Sequence, residues 1–137
     1  MKKPHKKLNV WKAALDLTRM VYQVTNGFPK EDRFVLTDQI RRAALSIPSN
    51  IAEGAARQTK KEFVKFLHIA QGSLSELDTQ LELARQLGHL SDEDWSKLDT
   101  HLEQIDKMLS GLIRYFRNTK TQASAFSPHS SHLTPHA

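Results

Sequence analysis

Six basic side chains in the first half of the sequence could bind the phosphates of a nucleic acid. Lysine and arginine neutralise phosphates and release condensed counterions, so such binding weakens steeply as salt is added. The candidates are Arg41, Arg42, Arg57, Lys60, Lys61 and Lys65. The two members nearest the N-terminus are separated along the chain from the other four, so the six need not form one surface. A solvated charged face and a surface for a protein partner are the alternative interpretations.

A stripe of polar side chains overlaps this group on one predicted helix. Its members are spaced by three or four residues, which places them on one helix face, opposite an apolar face. They are Gln39, Arg42, Ser46, Asn50, Glu53 and Arg57. One interpretation is a recognition surface in which the two arginines contact phosphates. The interpretation we favour is an internal or inter-subunit hydrogen-bond network, because mid-bundle polar groups fix register and oligomeric state. Its predicted members are Gln39, Asn50 and Glu53.

No pattern in the sequence predicts catalysis or metal binding. The seven histidines form neither the Glu-x-x-His pairs of di-iron bundles nor a His-Glu-x-x-His motif. The sequence also has no Gly-x-Ser-x-Gly motif and no glycine-rich phosphate loop. His129, His132 and His136 could hold a metal ion only adventitiously. We therefore expect a protein that is not an enzyme and has no cofactor, metal site or catalytic residue.

Four segments carry the apolar spacing that predicts amphipathic helices. The first runs from Val10 to Phe28 and is expected to stop at Asn26-Gly27. The third and fourth begin with capping boxes at Thr59 and Ser91, in which a hydroxyl accepts a hydrogen bond from a free backbone N–H. Their regular alternation of three- and four-residue steps predicts nearly parallel helices. The fold class that follows is an all-α, antiparallel, up-down four-helix bundle.

The second helix contains Pro48 within its apolar face. Proline removes one helical hydrogen bond and leaves the carbonyl of Ala44 without its usual donor, and nearby serine or asparagine side chains are suitable partners. A kinked continuous helix and two helices broken near Ser46 are both possible. The in-phase apolar spacing across the proline favours the kink. Gly54 costs roughly 1 kcal/mol relative to alanine in such a helix, and we expect it to permit close approach of a neighbouring helix.

The net charge of +5 comes from the ends of the chain. We predict a disordered basic arm at 1–7, a bundle at 8–117 and a disordered Ser- and His-rich tail at 118–137. The arm holds four lysines, whereas the bundle holds 15 basic and 15 acidic side chains. Within the bundle, residues 33–65 carry a net charge of +4 and residues 66–117 a net charge of −4. This separation predicts a basic patch or electrostatic docking between copies.

The composition also predicts the compartment. The sequence has no cysteine and no apolar run of the roughly 18 residues that span a bilayer. Its basic start is followed by further charged residues rather than by the apolar region of a signal peptide. We expect a cytoplasmic protein that does not associate with a membrane.

Three consecutive stretches carry a resemblance to a known family. A tryptophan-containing first helix ends near TNGFPKEDRF, and LTDQIRRAALSIPSNIAEGAAR and KEFVKFLHIAQGSLSELDTQLELA follow. From Leu8 to Phe116 the sequence resembles the four-helix-bundle proteins encoded in intervening sequences of bacterial 23S ribosomal RNA genes. That family is related to the accessory variability determinant of diversity-generating retroelements. The most specific matches are Ile47, Pro48, Asn50, Ile51, Ala52, Glu53, Gly54, Ser73 and Glu76.

The resemblance implies a homo-oligomer, in the form of a ring-like homopentamer, with no catalytic residues. In the retroelement relatives a basic surface binds nucleic acid and a reverse transcriptase, so these are the implied partners. Together with the charge pattern, this leads us to expect a non-catalytic, self-assembling bundle that presents a basic surface to RNA or DNA as an accessory factor. The alternative is a homo-oligomeric scaffold or protein-interaction module that does not bind nucleic acid.

Overall fold

Four long helices account for most of the computed structural model, which describes residues 1–118. In chain order they are α1 (Asn9–Thr25), α2 (Asp38–Ala55), α3 (Lys60–Gln86) and α4 (Asp92–Asn118). No β-strand occurs in this part of the chain. Short connections join consecutive helices, and α1 and α3 each pack against both α2 and α4. These contacts close an antiparallel, up-down four-helix bundle, which confirms the predicted fold class.

The core consists of the apolar seams that the spacing predicted. Each helix contributes fully buried side chains, such as Leu17, Ile47, Leu77 and Ile105. Burying a side chain of this size contributes about 1.5–3 kcal/mol, so these seams supply the main driving force for the fold. Over the described residues, no helix is long and apolar enough to cross a membrane.

The predicted helix ends on the second half of the chain are confirmed by their hydrogen bonds. Thr59 Oγ1 accepts from the backbone N–H of Glu62 at 3.1 Å. Ser91 Oγ accepts from the N–H of Asp94 at 3.1 Å. After α3 the chain turns at Gly88, whose φ of 81° lies in the left-handed region that glycine adopts without steric penalty. These caps fix where α3 begins and ends and where α4 begins.

The connection between α1 and α2 consists of two short helical turns. Pro29 precedes a 3₁₀ turn (Lys30–Asp32), and a π-helical turn (Arg33–Thr37) follows before α2 begins. A π turn is wider than an α turn, and this one leaves Phe34 and Val35 80% and 77% exposed. Two large apolar side chains therefore project from this connection.

The N-terminal arm has local structure where the sequence predicted disorder. Pro4–Lys7 form a 3₁₀-helix that packs against α1 and α2. The ring of His5 lies 4.9 Å from that of Trp11, and Leu8, directly after the turn, is fully buried. These two contacts attach the turn to the bundle. Of the predicted disordered tail at 118–137, Asn118 is the last residue of α4, and residues 119–137 lie outside the described part of the chain.

Helix α2 continues through Pro48 rather than breaking near Ser46. Residue 48 has no N–H to donate to the Ala44 carbonyl. The sequence predicted a serine or asparagine as the replacement donor, but the structure assigns this role to Thr18 of α1. Its Oγ1 lies 2.8 Å from the Ala14 oxygen of its own helix and 3.2 Å from the Ala44 oxygen, so its single proton is shared between the two carbonyls. This buried hydroxyl therefore links α1 to α2 beside the proline.

Gly54 is the point at which α2 meets the backbone of α3. A β-carbon at this position would lie 2.7 Å from Phe66 Cβ, 3.0 Å from Phe63 Cδ1 and 3.3 Å from the Phe63 carbonyl oxygen. No side chain larger than hydrogen fits without movement of α3. The predicted close approach of a neighbouring helix is confirmed.

Replacing Gly54 with alanine should destabilise the bundle by about 1–3 kcal/mol, because the new methyl group pushes α2 and α3 apart. This loss outweighs the helix-propensity gain of roughly 1 kcal/mol. Gly72→Ala is the matched control, since Gly72 is exposed within α3 and has open space around it. We expect that control to stabilise the protein by up to about 1 kcal/mol. Urea unfolding followed by circular dichroism measures both, and a stabilised Gly54→Ala variant would contradict the close contact.

Thr18→Val keeps the side-chain shape but removes the hydroxyl proton that the buried Ala44 carbonyl shares with Ala14. We expect a loss of about 1–3 kcal/mol in the free energy of unfolding. In a Pro48→Ala background, residue 48 has an N–H for that carbonyl, so the same substitution should cost less. A double-mutant cycle measured by urea unfolding tests this coupling. Strictly additive effects would show that the two residues do not share the carbonyl.

Candidate nucleic-acid interface

One end of the bundle brings together four separate segments of the chain. The up-down order places the start of α1, the end of α2, the start of α3 and the end of α4 there. The rings of Phe63 and Phe116 lie 4.9 Å apart, and Arg117 Nη2 lies 3.2 Å from His68 Nε2. The 3₁₀-helix before α1 packs against α2 at the same end. Side chains far apart in sequence therefore share this surface.

Charge is divided between the two ends of the bundle. When each helix is divided at its midpoint, the half containing this end comprises residues 1–17, 47–73 and 105–118, with 12 basic and four acidic side chains. The other half comprises residues 18–46 and 74–104, with seven basic and 11 acidic side chains. The net formal charges are therefore +8 and −4. We call the two ends the basic end and the acidic end.

Four of the six predicted phosphate-binding residues lie at the basic end, in or beside the turn between α2 and α3. Lys61 and Lys65 are one helical turn apart at the start of α3, and both side chains are exposed. Lys60, next to them, is half-buried. The two exposed ammonium groups can reach phosphates from solvent.

Arg57 is the fourth of these residues, and its guanidinium is already engaged within the bundle. It lies 3.2 Å from Glu53 Oε1 and 4.8 Å from the centre of the Phe66 ring. The two partners of the ion pair are 43% and 55% exposed, so the pair contributes about 0–1 kcal/mol to stability. Glu53, a predicted member of the polar network, belongs to this surface pair.

Arg41 and Arg42 lie near the start of α2, away from the other four predicted residues. Arg41 Nε donates to Thr25 Oγ1 at 2.9 Å, and its Nη2 donates to Asn26 Oδ1 at 3.2 Å. Its guanidinium also lies 4.7 Å from the centre of the Tyr22 ring. Arg41 thus fastens the end of α1 to α2, whereas Arg42 is exposed. The six predicted residues therefore do not form one surface.

The polar stripe of α2 forms a hydrogen-bond network where it meets α3. Ser46 Oγ lies 2.8 Å from Ser73 Oγ. Asn50 Nδ2 donates to the Ser46 backbone oxygen at 2.8 Å and lies 2.9 Å from Ser46 Oγ. Gln39 is exposed at the start of α2, outside this contact. Of the three predicted network residues, Asn50 is the one that the structure places in an inter-helix network.

Sequence analysis did not join four other exposed cations of the basic end to the predicted group, although two of them belong to the basic arm that it identified. Lys6 and Lys7 are on the 3₁₀-helix before α1, and Arg114 and Arg117 are in the last turns of α4. They lie far along the chain from the predicted group, so no local motif includes them. The signal that could have found them is the up-down topology, which brings the start of α1 and the end of α4 to the α2–α3 turn.

The histidine of the N-terminal turn is not a source of this positive charge. Its ring packs edge-on against Trp11. Partial burial, together with the neighbouring charges of Lys6 and Lys3, lowers the pKa of His5. The neutral imidazole is therefore the main form at neutral pH, and the lysines around it carry the charge.

A groove between α3 and α4 extends towards the acidic end and has a volume of about 260 Å³. Four carboxylates line it: Asp78, Asp99, Glu103 and Asp106. Partial burial raises the pKa of Asp78, and the charges of Asp99 and Glu82 raise it further. Among residues 1–118, no three histidine or carboxylate side chains form a group that could hold a metal ion. Three of these carboxylates, those of Asp78, Asp99 and Glu103, add to the negative potential of the acidic half of the bundle.

Comparisons with known proteins match most of the chain. The sequence model of the 23S rRNA-intervening sequence protein family matches residues 6–111, which include all of α1, α2 and α3. A crystal structure of a protein of unknown function from the S23 ribosomal protein family of Bacteroides thetaiotaomicron is 26% identical, with a TM-score of 0.70. The match covers 77% of this chain and 95% of that chain. No curated protein sequence matches the chain.

Arg41→Ala should destabilise the bundle by about 1–2 kcal/mol, because it removes two hydrogen bonds between α2 and the end of α1. Arg42→Ala, which removes the same charge from an exposed position, should change stability by less than about 0.5 kcal/mol. Urea unfolding of the two variants tests this difference. Equal effects would show that the contacts of Arg41 with Thr25 and Asn26 do not stabilise the fold.

Proposed function

The chain belongs to the 23S rRNA-intervening sequence protein family, and we propose that it is a non-catalytic, self-assembling bundle whose basic end binds RNA or DNA. The observation that carries the proposal is the division of charge along the bundle, +8 in one half and −4 in the other. A formal charge of this size in one half of a small domain creates a positive potential that attracts polyanions and speeds their association.

The position of the cations supports a phosphate-binding role. Exposed lysines and arginines occur on the 3₁₀-helix, at the start of α3 and at the end of α4. Each of these segments is held in place by the bundle, so the charges meet a ligand in a fixed arrangement. A preformed arrangement avoids part of the ordering cost of binding. The acidic end repels the same ligand and thereby orients it.

A homo-oligomeric scaffold is the second candidate function, and apolar side chains on the outside of the bundle favour it. Ile69 and Leu83 lie on one face of α3, and Leu87 follows directly after its last residue; they are 41%, 47% and 54% exposed. Leu45 of α2 and the projecting Phe34 and Val35 are exposed as well. Exposed apolar residues that share one face are typical of protein–protein contacts. The homopentameric form and a reverse-transcriptase partner stay predictions.

Charge reversal at the basic end should weaken nucleic-acid binding more than the same change elsewhere. The test variant carries Lys6→Glu, Lys61→Glu and Lys65→Glu. The matched control carries Lys30→Glu, Arg33→Glu and Arg42→Glu, three exposed cations towards the other end. Fluorescence anisotropy with a labelled RNA hairpin at about 100 mM salt should show a loss of more than about tenfold for the test variant. The control should lose less than about threefold.

Two outcomes would contradict the proposed binding role. One is the absence of hairpin binding by the natural chain at about 50 mM salt, where electrostatic binding is strong. The other is an equal loss for both variants, which would show that net charge matters and the basic end does not. Light scattering on the three proteins checks the oligomeric state. A natural chain that forms oligomers without binding nucleic acid would favour the scaffold function.

A further inference from the structure

Six of the exposed cations of the basic end lie on three different structural elements, which we call supports. Lys6 and Lys7 are on the 3₁₀-helix before α1, Lys61 and Lys65 are on α3, and Arg114 and Arg117 are on α4. Neighbouring helices in a bundle lie about 8–10 Å apart, so cations on different supports are separated by roughly 10–20 Å. The major groove of duplex DNA is about 12 Å wide, and duplex RNA offers a wide, shallow minor groove, so separate supports can reach the phosphates on both sides of one groove. A single strand offers one row of phosphates.

The aromatic rings of the basic end contact other side chains within the bundle. Trp11 packs against His5 at 4.9 Å, and Arg57 lies 4.8 Å from the centre of the Phe66 ring. The Phe116 ring packs against the rings of both Phe63 and Tyr115. Proteins that bind single strands stack bases on open aromatic faces. In the described part of the chain, every aromatic ring at this end already contacts another ring or a guanidinium.

We propose that the basic end binds the two phosphate strands of double-helical nucleic acid, through cations on separate helices, and does not stack the bases of a single strand. This inference rests on the proposed function and specifies its ligand. The chemistry that is recognised is a pair of phosphate rows at groove spacing, which duplex RNA and duplex DNA both offer. Recognition of this kind reads no base edges, so it is independent of sequence.

Equilibrium binding with four labelled probes tests the inference. They are a duplex RNA and a duplex DNA of about two helical turns, and one strand of each, designed without self-complementarity. At matched numbers of phosphates, we expect both duplexes to bind at least about fivefold more tightly than their strands. The slope of log K against log salt should be about −4 or steeper for a duplex. The duplex that binds more tightly shows whether the preferred ligand is RNA or DNA.

Removing one support at a time tests the requirement for separate helices. Lys61→Gln with Lys65→Gln, and Arg114→Gln with Arg117→Gln, each remove two cations from one helix. Each pair should reduce the magnitude of the duplex salt slope by about 2 and bring duplex affinity close to that of the single strand. Lys30→Gln with Arg33→Gln is the matched control, because both positions are exposed and lie away from the basic end. This control should change neither the salt slope nor the affinity for the duplex. Circular dichroism confirms that each variant is folded.

Fluorescence of Trp11 gives an independent readout of stacking. The sequence contains two tryptophans, and Trp95→Phe leaves Trp11, which lies at the basic end, as the only one. Duplex binding should leave its emission unchanged. Single strands that bind as tightly as duplexes, or that quench Trp11, would overturn this inference and leave the proposed function intact. If no probe binds at about 50 mM salt, the proposed function itself fails.

Discussion

The fold depends on the close packing of α2 between its two neighbours. On one side, the missing β-carbon of Gly54 lets the helix approach the Phe63–Phe66 segment of α3. On the other side, the Thr18 hydroxyl reaches the carbonyl that Pro48 leaves without a donor. Both contacts join particular atoms of neighbouring helices, so they fix the position of α2 along the bundle axis relative to α1 and α3. This axial position determines which residues meet at each end of the bundle.

The basic end is a consequence of this packing and carries an electrostatic cost. Twelve basic side chains in one half of a small bundle repel one another. The fold reduces the repulsion locally, since Arg57 lies beside Glu53 and over the Phe66 ring. Exposed lysines are also well hydrated and screened by salt. What remains is a potential that a polyanion can neutralise, and this links the surplus of charge to the proposed ligand.

The proposed binding end and the apolar outer residues occupy different parts of the molecule. The proposed phosphate recognition uses the end of the bundle, where α1 and α3 begin. The exposed leucines of α3 lie along its side, and Phe34 and Val35 project from the connection at the opposite end. A nucleic acid at the basic end therefore leaves the side of the bundle free for other copies. Association side by side would bring several basic ends together, which multiplies the number of phosphate contacts.

The sequence by itself determined the helices and the class of fold. Spacing of three and four residues predicted four helices, and local chemistry at Thr59 and Ser91 predicted where two of them begin. The continuity of α2 through Pro48 and the close approach at Gly54 also followed from the pattern. These features depend on neighbours within a few turns, so a single segment contains the information.

Only the tertiary structure decided which distant side chains meet. The donor to the Ala44 carbonyl is 26 residues away on another helix, so the local search for serine or asparagine found the wrong residue type. The sequence predicted Arg41 only as a phosphate ligand, whereas the structure shows that its guanidinium also hydrogen-bonds Thr25 and Asn26 at the end of α1. The basic end gathers charge from both termini of the bundle and from the α2–α3 turn, because antiparallel packing superimposes them. A charge count along the chain separates a basic from an acidic segment at residue 65. In the folded molecule the boundary between the basic and acidic halves crosses each helix near its middle.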